Sequence, residues 1–169
     1  MMLSGMRAGW NQSFQILDEV LRGVTDRQIV TMRMFEGVSA ETVFDAFTDE
    51  EHIGEWFGPD GYTLTIHEMD VRPGGHWRFV MHGPDGTDYD SHVIYERVER
   101  PEVLTYQHAG AGQDPFDVTV TFDEFMGSCV LTMRAVFVSA QERDRLVAEV
   151  GAKEGGEQTL SRLETYLKS

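Results

Sequence analysis

The sequence is poor in cysteine and has no long apolar run. Its single cysteine, Cys129, cannot form a disulfide within the chain, which is typical of proteins from a reducing compartment. No stretch approaches the ~20 apolar residues that a membrane span requires. The first residues also lack the continuous apolar run of a signal peptide. We therefore expect a cytoplasmic protein.

Basic residues are scarce as well. The chain has 14 Lys and Arg residues against 29 Asp and Glu residues, a formal net charge of -15. This charge repels nucleic-acid phosphates and anionic membrane surfaces, so we expect neither as a partner. The hydrophobic fraction of 41% and the length of 169 residues are those of a globular chain with one sizeable core.

The N-terminal segment differs in charge from the rest. Within residues 1–27, three basic residues balance three acidic ones, so the net negative charge belongs to residues 28–169. We predict two regions with these bounds. Apolar residues at spacings of three and four predict an amphipathic helix in the first region. These residues are Leu3, Met6, Trp10, Phe14, Leu17, Leu21 and Val24. An apolar stripe of this size is normally buried against another surface, and we expect a homodimer through residues 3–24.

This N-terminal segment also resembles the end of the chain. Residues 5–23 align without gaps on residues 151–169. Either the first helix is a relic of a preceding copy of the same domain, or any two amphipathic helices would share this spacing. The glycines and the glutamine common to both stretches favour the first explanation.

The second region alternates between apolar and polar residues and is interrupted by turn signals such as Gly83-Pro84-Asp85-Gly86. This pattern predicts an antiparallel sheet with one dry and one wet face. The predicted strands are residues 28–35, 64–71, 76–82, 88–98, 103–108, 116–122 and 129–138.

Capping residues predict the helices. Ser39 begins a short helix, Thr48 and Glu51 form a capping box for a second, and Ser139 begins the last helix. Glycines at 151, 155 and 156 lie inside that last helix. They indicate a bend, a close approach to another surface, or a break into two helices.

Four stretches, in order along the chain, carry a resemblance to a known family. They are residues 43–59 (with VFDAFTD and WFGP), 70–79 (DVRPGGHWRF), 99–106 (ERPEVLTY) and 155–160 (GGEQTL). With the order of elements, they resemble the SRPBCC (START-like, helix-grip) superfamily, and within it the homologues of the heat-shock-protein-90 ATPase activator.

The resemblance implies an α+β helix-grip (START-like, Bet v-like) fold. A curved antiparallel sheet of about seven strands would surround a long C-terminal helix, with two short helices after the first strand and the N-terminal helix as an addition. Relatives hold ligands between sheet and helix. Many carry Trp where Gly156 stands, so the missing side chain predicts room there, bordered by Trp77 and Phe79.

We therefore predict binding of a small hydrophobic ligand in a cavity between the sheet and the C-terminal helix. Aromatic and methionine walls suit an adaptable apolar ligand, and two histidines could be polar anchors. The candidate ligand-binding residues are Trp56, Trp77, Phe79, Met81, His92, Tyr106, His108, Phe122, Met133 and Gly156. Each of the aromatic residues could equally belong to an ordinary core.

Two other functions stay open. The resemblance implies docking on a chaperone of the heat-shock-protein-90 type, and a cyclase-like enzyme of the same fold would need polar groups in the cavity, for which His92, His108 and Arg134 are candidates. No nucleophile motif is present, so no catalytic residue is assigned. The histidines lack the spacing of metal ligands, which predicts no metal and no cofactor.

Overall fold

A computed structural model describes residues 25–110 and 112–169. Within these residues the chain forms seven strands, four α-helices and a short 3-10 turn at Thr25–Arg27. The predicted N-terminal helix lies outside the described residues, as does the dimer interface through residues 3–24. Both stay predictions.

The strands form one antiparallel sheet. Its order is β1-β7-β6-β5-β4-β3-β2, so the last strand pairs with the first and the other five follow as a meander. The strands are β1 Gln28–Phe35, β2 Thr63–Met69, β3 His76–His82, β4 Asp88–Glu99, β5 Val103–Gly110, β6 Gln113–Phe125 and β7 Ser128–Val136. This is the predicted α+β helix-grip architecture.

Two short helices, α1 (Ala40–Thr48) and α2 (Glu50–Trp56), follow β1. Ser39 caps α1 as predicted, accepting a hydrogen bond from the backbone N–H of Thr42 at 3.1 Å. The predicted cap of α2 is wrong. Thr48 is the last residue of α1 and donates its hydroxyl to the carbonyl of Phe44, so Asp49 caps α2 instead.

The C-terminal helix is divided into α3 (Ala140–Val150) and α4 (Ala152–Leu167). The break lies at Gly151, whose φ of +63° is in the left-handed region that glycine adopts without strain. Ser139 caps α3 as predicted, accepting from the N–H of Glu142 at 3.0 Å.

The other two glycines of this helix mark close approaches. A Cβ on Gly155 would lie 3.4 Å from Cγ of Pro59, and a Cβ on Gly156 would lie 3.0 Å from Oγ1 of Thr31 on β1. The predicted break therefore occurs at Gly151, and the predicted close approach occurs at Gly155 and Gly156.

The inward face of the sheet, α1, α2 and the second half of α4 enclose a dense core, which we call the packed end. Aromatic rings meet edge to face in it, as Phe47 does with Trp56 at 4.8 Å and with Phe122 at 5.4 Å between centroids. Leu160 and Leu163 of α4 complete it and are fully buried. The packed end fixes the position of α4 on the sheet.

Candidate functional site

A cavity of about 320 Å³ lies at the other end of the same interior, and we call it the helix–sheet cavity. The inward face of the sheet forms its floor, and the region around the α3–α4 break forms its roof. Floor residues include Ile29, Thr31, Met81, Tyr106, His108, Phe116, Val118, Met133, Ala135 and Phe137. Roof residues include Leu146, Val150, Gly151, Ala152, Gly155, Gly156 and Thr159. The walls are mainly apolar.

Five of the ten predicted ligand-binding residues line this cavity. They are Met81, Tyr106, His108, Met133 and Gly156. Four of them occupy inward positions on strands β3, β5 and β7, and the fifth lies on α4 above them. The structure thus brings them together, while their role in binding stays a prediction.

Four other predicted residues do not line the cavity, because they belong to the packed end. These are Trp56, Trp77, Phe79 and Phe122. Trp77 and Phe79 stack on each other at 3.9 Å, and the ring of Phe57 contacts both edge to face. Phe57 itself lines the cavity. The expected border of Trp77 and Phe79 is therefore replaced by this one ring, from the segment that follows α2.

His92 lies on the outer face of the sheet and not inside the cavity. Its neighbour Val93 is buried inward, and successive residues of a strand point to opposite faces. The His92 ring stacks on His76, with Nε2 of His92 2.7 Å from Nδ1 of His76. Burial, with the nearby charge of Arg78, lowers the pKa of His92. The alternation around Val93 and Tyr95 could have predicted this placement.

Gly156 lines the cavity, but the space directly beside it is taken. The 3.0 Å contact that a Cβ would make with the Thr31 hydroxyl is tighter than ordinary packing. Thr31 is buried and belongs to the cavity floor. The absence of a side chain at Gly156 therefore lets α4 approach β1 closely at this point, beside the room that the cavity provides.

Tyr106 and His108 are the polar groups at the centre of the floor. They are two residues apart on β5 and both face inward. The His108 ring packs against Phe116 at 5.0 Å and Phe79 at 6.1 Å between centroids. Burial lowers the pKa of His108 to about 4 and raises the pKa of Tyr106 above its usual range. Both side chains are therefore uncharged at neutral pH.

Arg145, which sequence reasoning missed, lies at the edge of the cavity. Its guanidinium pairs with Glu142 at 2.7 Å and Glu149 at 3.0 Å, and it donates to the carbonyl of Gly112 at 3.3 Å. These bonds join α3 to the β5–β6 connection. The spacing of Glu142 and Glu149 around Arg145 on one helix is a signal that could have predicted the two ion pairs.

The single cysteine and the cyclase candidate Arg134 lie outside the cavity. Cys129 is fully buried on β7, and burial raises the pKa of its thiol to about 12, so it is a core residue and no nucleophile. Arg134 is buried on the face of β7 opposite Met133 and does not line the cavity. Among residues 25–110 and 112–169, no group of three or more His, Cys, Asp or Glu side chains could hold a metal ion.

A hydroxyl–imidazole–carboxylate line occurs elsewhere, on the outer face of β2, β3 and β4. His82 lies 2.8 Å from the Thr65 hydroxyl through Nε2 and 2.7 Å from the Asp88 carboxylate through Nδ1. A nucleophilic triad has this order, but it also needs a pocket and oxyanion donors. Thr65 and Asp88 are exposed, and the helix–sheet cavity includes none of the three. We regard the line as a surface cross-strand contact.

Known proteins share this fold at low sequence identity. Protein Ms6760 from Mycobacterium smegmatis is 20% identical, with a TM-score of 0.77 over 85% of this chain and 92% of that one. A protein from Arthrobacter aurescens is 20% identical, with a TM-score of 0.79 over 86% and 88%. CalU16 from Micromonospora echinospora is 21% identical, with a TM-score of 0.59 over 83% and 75%. At these identities the likeness shows the fold alone.

The sequence itself matches a family model. No curated protein matches the chain, and none of the helices among the described residues has the length and apolarity needed to cross a membrane. The model described as "Activator of Hsp90 ATPase homolog 1-like protein" matches residues 37–168, which include every described element after β1. The chain therefore belongs to the family of Activator of Hsp90 ATPase homolog 1-like proteins.

Proposed function

We propose that the protein binds a small, mainly apolar molecule in the helix–sheet cavity. The observation that carries this proposal is the cavity itself: about 320 Å³ in an interior that is otherwise closely packed. Protein interiors contain few voids larger than a water molecule, and binding pockets for small molecules begin at about 300 Å³.

The composition of the walls supports the same proposal. Phe57, Met81, Phe116 and Met133 supply large apolar surfaces. Methionine side chains adapt to irregular shapes, and aromatic rings contribute a large contact area with few rotatable bonds. Each Å² of apolar ligand surface removed from water contributes about 25 cal/mol to binding before the entropic cost is subtracted.

A ligand could enter the cavity through its roof, beside α3. Leu146 is the one buried residue of α3, while Val150 is 63% exposed beside the break at Gly151. A helix with so little buried apolar surface is held weakly and can move at low cost. The cavity is already partly open to solvent, and movement of α3 about Gly151 would widen the opening without disturbing the packed end.

Fluorescence of N-phenyl-1-naphthylamine, an uncharged apolar dye, tests the proposal. We expect the full-length protein to bind it and Ala135→Phe, which puts a ring into the cavity from β7, to weaken binding at least about tenfold. Ala109→Phe is the matched control, because Ala109 on β5 pairs with His92 of β4 and therefore lies on the outer face of the sheet.

The control should bind the dye as the parent does. A folded Ala135→Phe variant that retains parental affinity would contradict the proposal. Docking on a chaperone, which the family description suggests, makes a different prediction. Ala135→Phe would then leave chaperone binding unchanged, because Ala135 is an interior position.

A further inference from the structure

We propose that the ligand carries one uncharged oxygen-bearing group, a hydroxyl or a carbonyl, held between the Tyr106 hydroxyl and the His108 ring. The inference rests on the proposed function of the cavity. It adds which class of molecule the cavity selects.

The first observation is the pairing of two polar side chains on one strand of a mainly apolar floor. Tyr106 is 6% exposed, and residues two apart on a strand lie about 7 Å from each other on one face. Neither side chain has a hydrogen-bond partner within residues 25–110 and 112–169. Neither is among the fully buried polar atoms that lack a partner, so the polar atoms of both face the open space of the cavity. A ligand oxygen between them would satisfy both.

The second observation is the absence of a matching charge. The imidazole of His108 lies between Phe79 and Phe116 and is neutral at pH 7, so it offers one donor and one acceptor. The Tyr106 hydroxyl also offers both. Two such groups complement a hydroxyl or a carbonyl, whereas an ionised head group would lose its hydration without gaining an opposite charge there.

The charged groups at the edge do not change this conclusion. The Arg145 guanidinium is already paired with Glu142 and Glu149, so its charge is compensated. The carboxylate that lines the cavity, Asp90, is exposed. An anionic ligand would therefore meet carboxylates on both sides of the one cation.

Three probes of one shape test the inference on the full-length protein: 4-hydroxybiphenyl, 4-methylbiphenyl and biphenyl-4-carboxylate. Each is titrated against bound N-phenyl-1-naphthylamine at pH 7. We expect 4-hydroxybiphenyl to bind about tenfold more tightly than the methyl compound, as two net hydrogen bonds would give. The carboxylate should bind more weakly than either.

Two substitutions assign the effect to its atoms. Tyr106→Phe removes only the hydroxyl and should reduce the tenfold preference to about threefold. Tyr95→Phe is the matched control, since Tyr95 is equally buried on β4 and its ring lies 6.1 Å from that of Tyr106, but it does not line the cavity. The control should keep the full preference.

The outcomes separate the inference from the proposed function. Equal affinity for the hydroxyl and methyl probes, or tighter binding of the carboxylate, would overturn the inference while leaving the cavity as an apolar binding site. An undiminished tenfold preference in Tyr106→Phe would also overturn it. If neither the dye nor any probe binds, the proposed function fails and the inference fails with it.

Discussion

The packed end and the helix–sheet cavity are two halves of one interior with different helix surfaces above the same sheet. At the packed end α4 presents Leu160 and Leu163, which are fully buried against the sheet and leave no space between it and the helix. Over the cavity it presents Gly155 and Gly156, and the helix breaks at Gly151. The strands supply inward aromatic side chains at both ends. The helix side chains therefore decide which half is core and which half is hollow.

The largest expected difference between the two ends is in stability. Leu160→Ala should lower the free energy of unfolding by about 3 kcal/mol, because it leaves a sealed void in the packed end. Leu146→Ala, at the cavity roof, should cost about 1 kcal/mol, because it only widens an existing hollow. Urea denaturation of both variants measures the two losses. Equal losses would contradict the distinction between the two ends.

The pH dependence of stability tests the environment of His108. Its pKa is about 4 in the folded protein against 6.5 ordinarily, so between these values the unfolded chain binds a proton that the folded protein does not. The folded state should lose stability as pH falls through this window. We expect the parent to lose up to about 3 kcal/mol more unfolding free energy than His108→Gln when the pH is lowered from 7 to 4.

Both proteins carry the same carboxylates, so the difference between them isolates His108. A difference that stays constant over this pH range would show that His108 is solvated, and the floor would then not be the dry surface described above.

The smallest expected effects concern the two helical glycines of the roof. Gly155→Ala should stabilise the protein by up to about 1 kcal/mol, because alanine favours the helix and the nearest contact is an ordinary 3.4 Å. Gly156→Ala should not, because its Cβ would lie 3.0 Å from the Thr31 hydroxyl. In a Thr31→Ala background, Gly156→Ala should become stabilising.

Thermal and urea unfolding of this double-mutant cycle gives the coupling between the two positions. A Gly156→Ala variant of the parent that is as stabilised as Gly155→Ala would show that α4 does not approach β1 closely.

Local sequence patterns predicted most of the fold. The bounds of β1 and β3 match the predicted residues 28–35 and 76–82. β3 alternates cleanly between an apolar and a polar face, whereas β1 carries the exposed apolar side chains Val30, Met32 and Met34 on its outer face. The caps Ser39 and Ser139 act as predicted because a cap depends only on residues three positions away in the chain. Thr48 failed because it is still part of α1, where its hydroxyl donates to the Phe44 carbonyl, and Asp49 accepts from the N–H of Glu51 in its place.

The candidate site was predicted only in part. Alternation showed which residues face inward, and Met81, Tyr106, His108 and Met133 follow that rule. It could not show how far along each strand the helices fill the interior. His92 was misplaced although its own strand carried the signal, in Val93 and Tyr95.

The sequence by itself determined the strands, two of the three helix caps and the family, since each depends on neighbouring residues or on motifs in order along the chain. Only the tertiary structure decided that Phe57 covers Trp77 and Phe79, and that Thr31 occupies the space beside Gly156. It alone brought Arg145 to the edge of the cavity. These contacts join residues far apart in sequence, and no local periodicity encodes the distance between two surfaces that meet only when the chain has packed.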